Sequence, residues 1–160
     1  MSILRFITGT PKTLEEMYNY ITDPAKTDKD FIFGIGINPF DMVNQMLFVH
    51  HAYRRYPYHP YKQIVFSFDK NINLSMEKIK EVCIKIGYKL ISDRRHLVGA
   101  IHYKNEDNIH CHYILNYVSV DGEMYEQYGG IYSYRQKINP ILKRNGLNPI
   151  GHLEEWIDYD

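Results

Sequence analysis

A chain of 160 residues, 44% hydrophobic and 24% charged, is long enough to bury roughly two thirds of its unfolded surface around one core. No apolar run approaches the ~20 residues of a membrane span, and the opening MSILRFITGT lacks a signal peptide's apolar core, so the expectation is a cytoplasmic protein with no membrane segment. The net charge of zero hides an uneven distribution: Tyr53 to Lys104 holds eleven Lys and Arg against four Asp and Glu, with acidic excess on either side, which permits a positively charged groove.

No repeat, low-complexity segment or Gly/Ser-rich linker interrupts the chain, and a single domain is expected over residues 1–160. Ile3 to Thr8 reads as a first strand, stopped by Gly9 and Pro11. Thr13, followed three residues later by Glu16, opens a helix with the capping-box pattern. Leu14, Met17, Tyr18 and Ile21 then recur at i, i+3, i+4 and i+7, one apolar stripe for the core. Tyr20 lies off that stripe, and packing gives it no role. After Pro24, Phe31 to Ile37 is rich enough in β-formers for a strand. Asn38 and Pro39 begin a second helix running to about Arg55. It contains His50 and His51, which at i, i+1 do not face one site.

A proline-rich YPYHPY turn leads into the clearest strand, Lys62 to Asp69, with Ile64, Phe66 and Phe68 on one face and Val65 and Ser67 on the other. Leu74 to Ile91 is an amphipathic helix. Two further strands, about residues 96–104 and 109–118, flank the polar loop Asn105 to Asn108 as a hairpin. Asp121 and Gly122 mark a turn, Tyr132 to Asn145 is the last helix, closed by Gly146, and GHLEEWIDYD is a short acidic tail whose Trp156 is expected to pack down. Cys83 and Cys111 form no C-x-x-C pair and read as small core residues rather than a disulfide framework or zinc ribbon. Long helices alternating with strands, two of them in a direct hairpin, give the α+β class: a mostly antiparallel central sheet with helices packed on it.

The hairpin carries the chemistry. His110 and His112 stand at i, i+2 and share one strand face, and the hairpin brings His102 beside them. Three neutral imidazoles suit a divalent transition-type ion and leave it its full charge and open positions. Such a centre polarises a phosphate oxygen but supplies no nucleophile. A structural zinc would need a fourth protein ligand; Glu106 and Asp107, at the hairpin tip, read instead as solvating the turn. Asn116 shares the histidines' face.

The run VGAIHYKNEDNIHCHYILN resembles the metal-binding motif of the mobilisation relaxases, the MobA-type branch of the HUH endonucleases, where a histidine and a short polar loop precede His-x-His-x-x-x-Asn. YITDPAKT is similar to the segment holding their nucleophilic tyrosine, and KQIVFSFDKN and the closing RNGL also match. Cys111 departs from the apolar residue usual between the two histidines, a small change for a side chain pointing away from them. The resemblance implies an HUH palm, His102, His110 and His112 as metal ligands and Tyr20 as nucleophile; Asn116 matches the motif's asparagine, a position from which it would orient a ligand or the DNA backbone, with no single role assigned.

The implied activity is site- and strand-specific nicking and rejoining of single-stranded DNA through a 5′-phosphotyrosine, with Mn²⁺, Mg²⁺ or another transition ion, at a transfer origin in plasmid or mobile-element conjugation. Accessory DNA-binding proteins would open the duplex. Candidate phosphate contacts are Arg54, Arg55, Lys62, Arg94 and Arg95, with Arg135 and Lys137 from the last helix. No general base is identifiable; Asp23 and His59 are the nearest candidates. Three rivals stay open: a rolling-circle replication initiator of the same superfamily, a non-catalytic metal-containing DNA-binding module, and a metallohydrolase using a metal-bound water.

Overall fold

Capping chemistry sets where the helices begin. In the computed structural model, which describes residues 2–127 and 130–151 and the backbone of 156–158, α1 (Leu14–Ile21) starts at Thr13. The Thr13 side chain accepts from the Glu16 amide while the Glu16 carboxylate accepts from the Thr13 N–H, a reciprocal capping box. The second helix begins in two steps. Asn38 caps a 3-10 turn, Pro39–Asp41, and α2 (Met42–Tyr53) follows it. Ser75 caps α3 (Met76–Leu90) through the Lys78 amide, and α4 (Ile131–Arg144) ends before Gly146, which takes a φ of +69°.

The strands are β1 (Ile3–Thr8), β2 (Ile32–Ile35), β3 (Tyr61–Ser67), β4 (Leu97–His102), β5 (His110–Asn116) and β6 (Trp156–Asp158). They form one sheet in the order β2-β4-β5-β3-β1-β6, antiparallel except where β6 runs parallel to β1. The class is α+β, as the pattern of strands and helices predicts. Two expectations are corrected. β2 is shorter than Phe31 to Ile37, because Phe31 belongs to a 3-10 turn and Gly36, with φ +69°, turns the chain out of the sheet. The acidic tail is not only a tail: its backbone at Trp156–Asp158 pairs along β1 and covers an edge that would otherwise expose unpaired groups. The Trp156 side chain, expected to pack down, lies outside the described residues.

The two sheet faces bury different partners. Leu4, Phe6, Ile64, Phe66, Cys111 and Tyr113 pack with α3 and α4, and the buried Tyr113 hydroxyl donates to the Cys83 carbonyl at 2.6 Å, fixing α3 on the sheet. On the other face Ile32, Val98, Ala100 and Ile114 meet Leu14, Met17 and Ile21 of α1 and Met42 and Met46 of α2. This second helical layer stops short of β1, so Arg5, Ile7 and Gln63 line open cavities rather than core. Among the described residues no helix is long and apolar enough to cross a membrane.

Candidate active site

Strand parity and register assemble the histidines. In the β4–β5 hairpin His102 is paired with His110, and His112, two residues on, lies between Ala100 of β4 and Val65 of β3. The three ring centroids stand 4.3 to 5.3 Å apart, and one nitrogen of each ring lies within 4.8 Å of the others. All three project from the face carrying α1, at the border where that helix gives way to open sheet.

Each ring has one nitrogen already occupied. His102 Nε2 donates to the Ile21 carbonyl at 2.9 Å, and His110 Nδ1 donates to the Asn108 carbonyl at 3.0 Å. Gln63 Nε2 lies 3.0 Å from His112 Nδ1; the two ends of an amide are interchangeable by a half-turn, and with Oε1 in that place Gln63 accepts from an Nδ1–H. His102 Nδ1, His110 Nε2 and His112 Nε2 are thereby left for a ligand, the usual arrangement of metal-binding imidazoles. His112 Nε2 is buried with no hydrogen-bond partner, a desolvated lone pair that an ion would satisfy. Burial pushes the His112 imidazole well below its ordinary range, helped by His102 and His110, and burial also lowers His102. Both are held in the neutral form that coordinates metal. The donor set therefore fits a divalent transition-type ion.

Tyr20 sits over this group. Its ring is edge-on to His112 at 5.4 Å and to His102 at 6.0 Å, and it is 46% exposed, whereas Tyr18 packs against the core. The Lys12 ammonium stands 4.7 Å from the centre of the Tyr20 ring. The segment after α1 is clasped to the hairpin. Lys26 pairs with Glu106 at 2.9 Å, the Tyr103 and Lys104 amides donate to the Lys26 carbonyl, and Lys104 Nζ reaches both the Pro24 carbonyl and Asp28. Glu106 thus does more than solvate the turn: it helps hold the Tyr20-bearing helix against the histidine strands. Asp23 accepts from the Ala25 amide in the intervening turn.

Two cavities of about 430 and 470 Å³ share Ile7, Tyr20, Val65 and His112, and together form a groove across the open face of β1 and β3. The first extends past Lys12 to His59 and Tyr117; the second runs past Arg5 to the hairpin loop. Few of the cations expected to contact DNA line it. Lys62 borders the first cavity, with its ammonium 5.9 Å from the Phe6 ring and its pKa lowered by burial. Arg54 is an exposed left-handed cap after α2, and Arg94 is ion-paired with Asp121. Arg95 is corrected to a structural role: it is 6% exposed and spent on Asp93 and the Asn116 carbonyl. Arg135 and Lys137 lie on α4, across the sheet from the histidines. Arg55 and Lys137 border a separate cavity beside Arg95.

Asn116 is also placed away from the histidines. At about 3.3 Å per residue, four positions along β5 separate it from His112 by roughly 13 Å. It is fully buried, with Oδ1 2.6 Å from His50 Nε2 and its amide donating to the Met46 carbonyl at 3.3 Å, so it joins β5 to α2. The residues that sequence reasoning missed are Gln63, Lys12 and Arg5. Gln63 alone left a signal, as a polar residue on the same strand face as Val65 and Ser67.

A model of the MobA/VirD2-like relaxase nuclease domain matches residues 20–147. A solved chain from a study of the molecular basis of vancomycin resistance transfer in Staphylococcus aureus is similar in fold, with a TM-score of 0.54 over 97% of this chain and 98% of that one at 14% identity. No curated protein matches. The match covers four fifths of the chain, from Tyr20 through the histidine hairpin and past the end of α4, and the protein belongs to the MobA/VirD2-like relaxases, the DNA-nicking nucleases of mobilisation.

Proposed function

We propose that the protein nicks and rejoins single-stranded DNA at a transfer origin by transesterification on Tyr20, using a divalent ion held by His102, His110 and His112. The observation carrying this reading is the placement of an exposed Tyr20 edge-on to His102 and His112 within one open groove. Tyr20 Oη attacks the scissile phosphorus, the P–O3′ bond breaks, and a 5′-phosphotyrosine and a free 3′-OH result. The phenol gives up its proton and the departing 3′ oxygen takes one up. One phosphodiester is exchanged for another, so the 3′-OH attacks back to reseal the strand. A bound Mn²⁺ or Mg²⁺ supplies Lewis-acid stabilisation of the charge that develops on the phosphate oxygens.

The chain's own contribution is position and charge. The clasp between Lys26, Lys104, Asp28 and Glu106 holds α1 so that Tyr20 faces the phosphate site. Lys12 over the ring places positive charge beside a phenol whose ordinary pKa is near 10. Gln63 and the Ile21 and Asn108 carbonyls fix the imidazoles.

Incubation with Mn²⁺ and a randomised single-stranded oligonucleotide pool is expected to yield an adduct that survives denaturing electrophoresis and is lost with Tyr20→Phe or chelator. Cleavage that persists in Tyr20→Phe without an adduct would mean a metal-activated water instead.

A further inference from the structure

The end of the groove beyond Lys12 is walled by the rings of His59 and Tyr117, to which the steps described above assign no role. His59 and Tyr117 stack with their planes 29° apart and their centroids separated by 6.5 Å. Tyr58 meets His59 edge-on at 5.0 Å, and Tyr125 lies tilted against Tyr117 at 5.8 Å. Tyr125 packs against the core, but core packing does not account for the other end of this array, where His59 is exposed and Tyr58 is 75% exposed. The backbone holds it in place: the Tyr117 amide donates to the Pro60 carbonyl at 3.2 Å, joining the YPYHPY turn to the end of β5. Opposite, the Lys12 amide donates to the Tyr61 hydroxyl at 3.0 Å and closes the other wall.

The His59 and Tyr117 rings line one end of the cavity of about 430 Å³ that also holds Tyr20 and His112, a volume within the range of a small-ligand site. Flat aromatic faces in a cavity that also holds the Lys12 side chain suit a planar heteroaromatic group with polar edges. A nucleobase of the substrate strand has that chemistry and reaches the cavity from the phosphate site.

We propose that the His59–Tyr117 wall receives the base of a nucleotide adjoining the scissile phosphate and sets which base is accepted at that position. This rests on the Tyr20 reading above. Single-stranded DNA from a randomised pool, trapped on wild-type protein and sequenced on both sides of the junction, is expected to show a base preference beside the junction. His59→Ala and Tyr117→Ala should lower adduct yield roughly tenfold, in line with the loss of one stacked base, and flatten the preference at that position alone. Tyr117→Phe should restore it. An unchanged preference in both alanine variants, or flattening at every position alike, would overturn the proposal. Absence of any adduct from wild type would sink the Tyr20 reading instead. The pocket is then tested by equilibrium binding of single strands carrying 2-aminopurine: fluorescence quenching lost in Tyr117→Ala supports it, and equal quenching in both proteins overturns it.

Discussion

His112 is held in orientation by Gln63, which lies 49 residues earlier in the sequence on the neighbouring strand β3. Gln63 meets its Nδ1 and leaves the buried Nε2 for a ligand. Gln63→Ala is expected to weaken Mn²⁺ binding about 10- to 100-fold, as loss of such partners generally does, measured by calorimetric titration; unchanged affinity would show that Nδ1 needs no partner. The grouping of the three histidines was legible in the sequence because a strand's period of two and a short polar loop determine it. Gln63 was not, because its contact depends on the register of β3 against β5. Asn116 shows the converse limit: sharing a face with His112 says nothing of proximity when three residues of strand intervene.

At the scale of elements, α1 was read correctly from Thr13 to its buried stripe because capping and periodicity are local. Thr13→Ala is expected to cost about 1 kcal/mol, seen as a lower urea midpoint. The β2–β4 pairing rests on a contact that no local pattern reveals: a Cβ on Gly99 would meet the Phe33 ring at 2.2 Å. Gly99→Ala should therefore destabilise by roughly 1 to 3 kcal/mol through overpacking, and an unchanged midpoint would mean that Phe33 swings aside freely. The pairing of β6 with β1 was illegible for a related reason. Three residues are too few for an alternating pattern, and only the exposed edge of β1 selects them.

For the whole molecule, the basic centre was visible in the sequence but its spatial use was not. Arg95 is consumed by a buried network and Arg135 and Lys137 fall across the sheet, because charge counts along the chain carry no information about faces. Burial lowers the pKa of His50, His96, His102 and His112 below the ordinary 6.5. Between that value and the folded ones, the unfolded chain binds more protons. The stability these neutral rings contribute is complete above pH 6.5 and is lost as pH falls through the folded values. The lowered carboxylates of Glu16, Glu81, Asp28 and Asp121 add a second loss only below their ordinary values of 4.5 and 3.8. The Tm of metal-free protein should accordingly begin to fall from about pH 6.5, well before carboxylate protonation; a flat Tm down to about pH 5 would contradict neutral burial of these histidines.

The central claim is that Tyr20 carries the DNA. Trypsin releases Thr13 to Lys26 as one peptide containing both Tyr18 and Tyr20. Fragmentation mass spectrometry of the nuclease-trimmed adduct reads which tyrosine is modified. The nucleotide mass is expected on Tyr20, with Tyr18 unmodified. Its appearance on Tyr18, or on a tyrosine outside this peptide, would contradict the assignment.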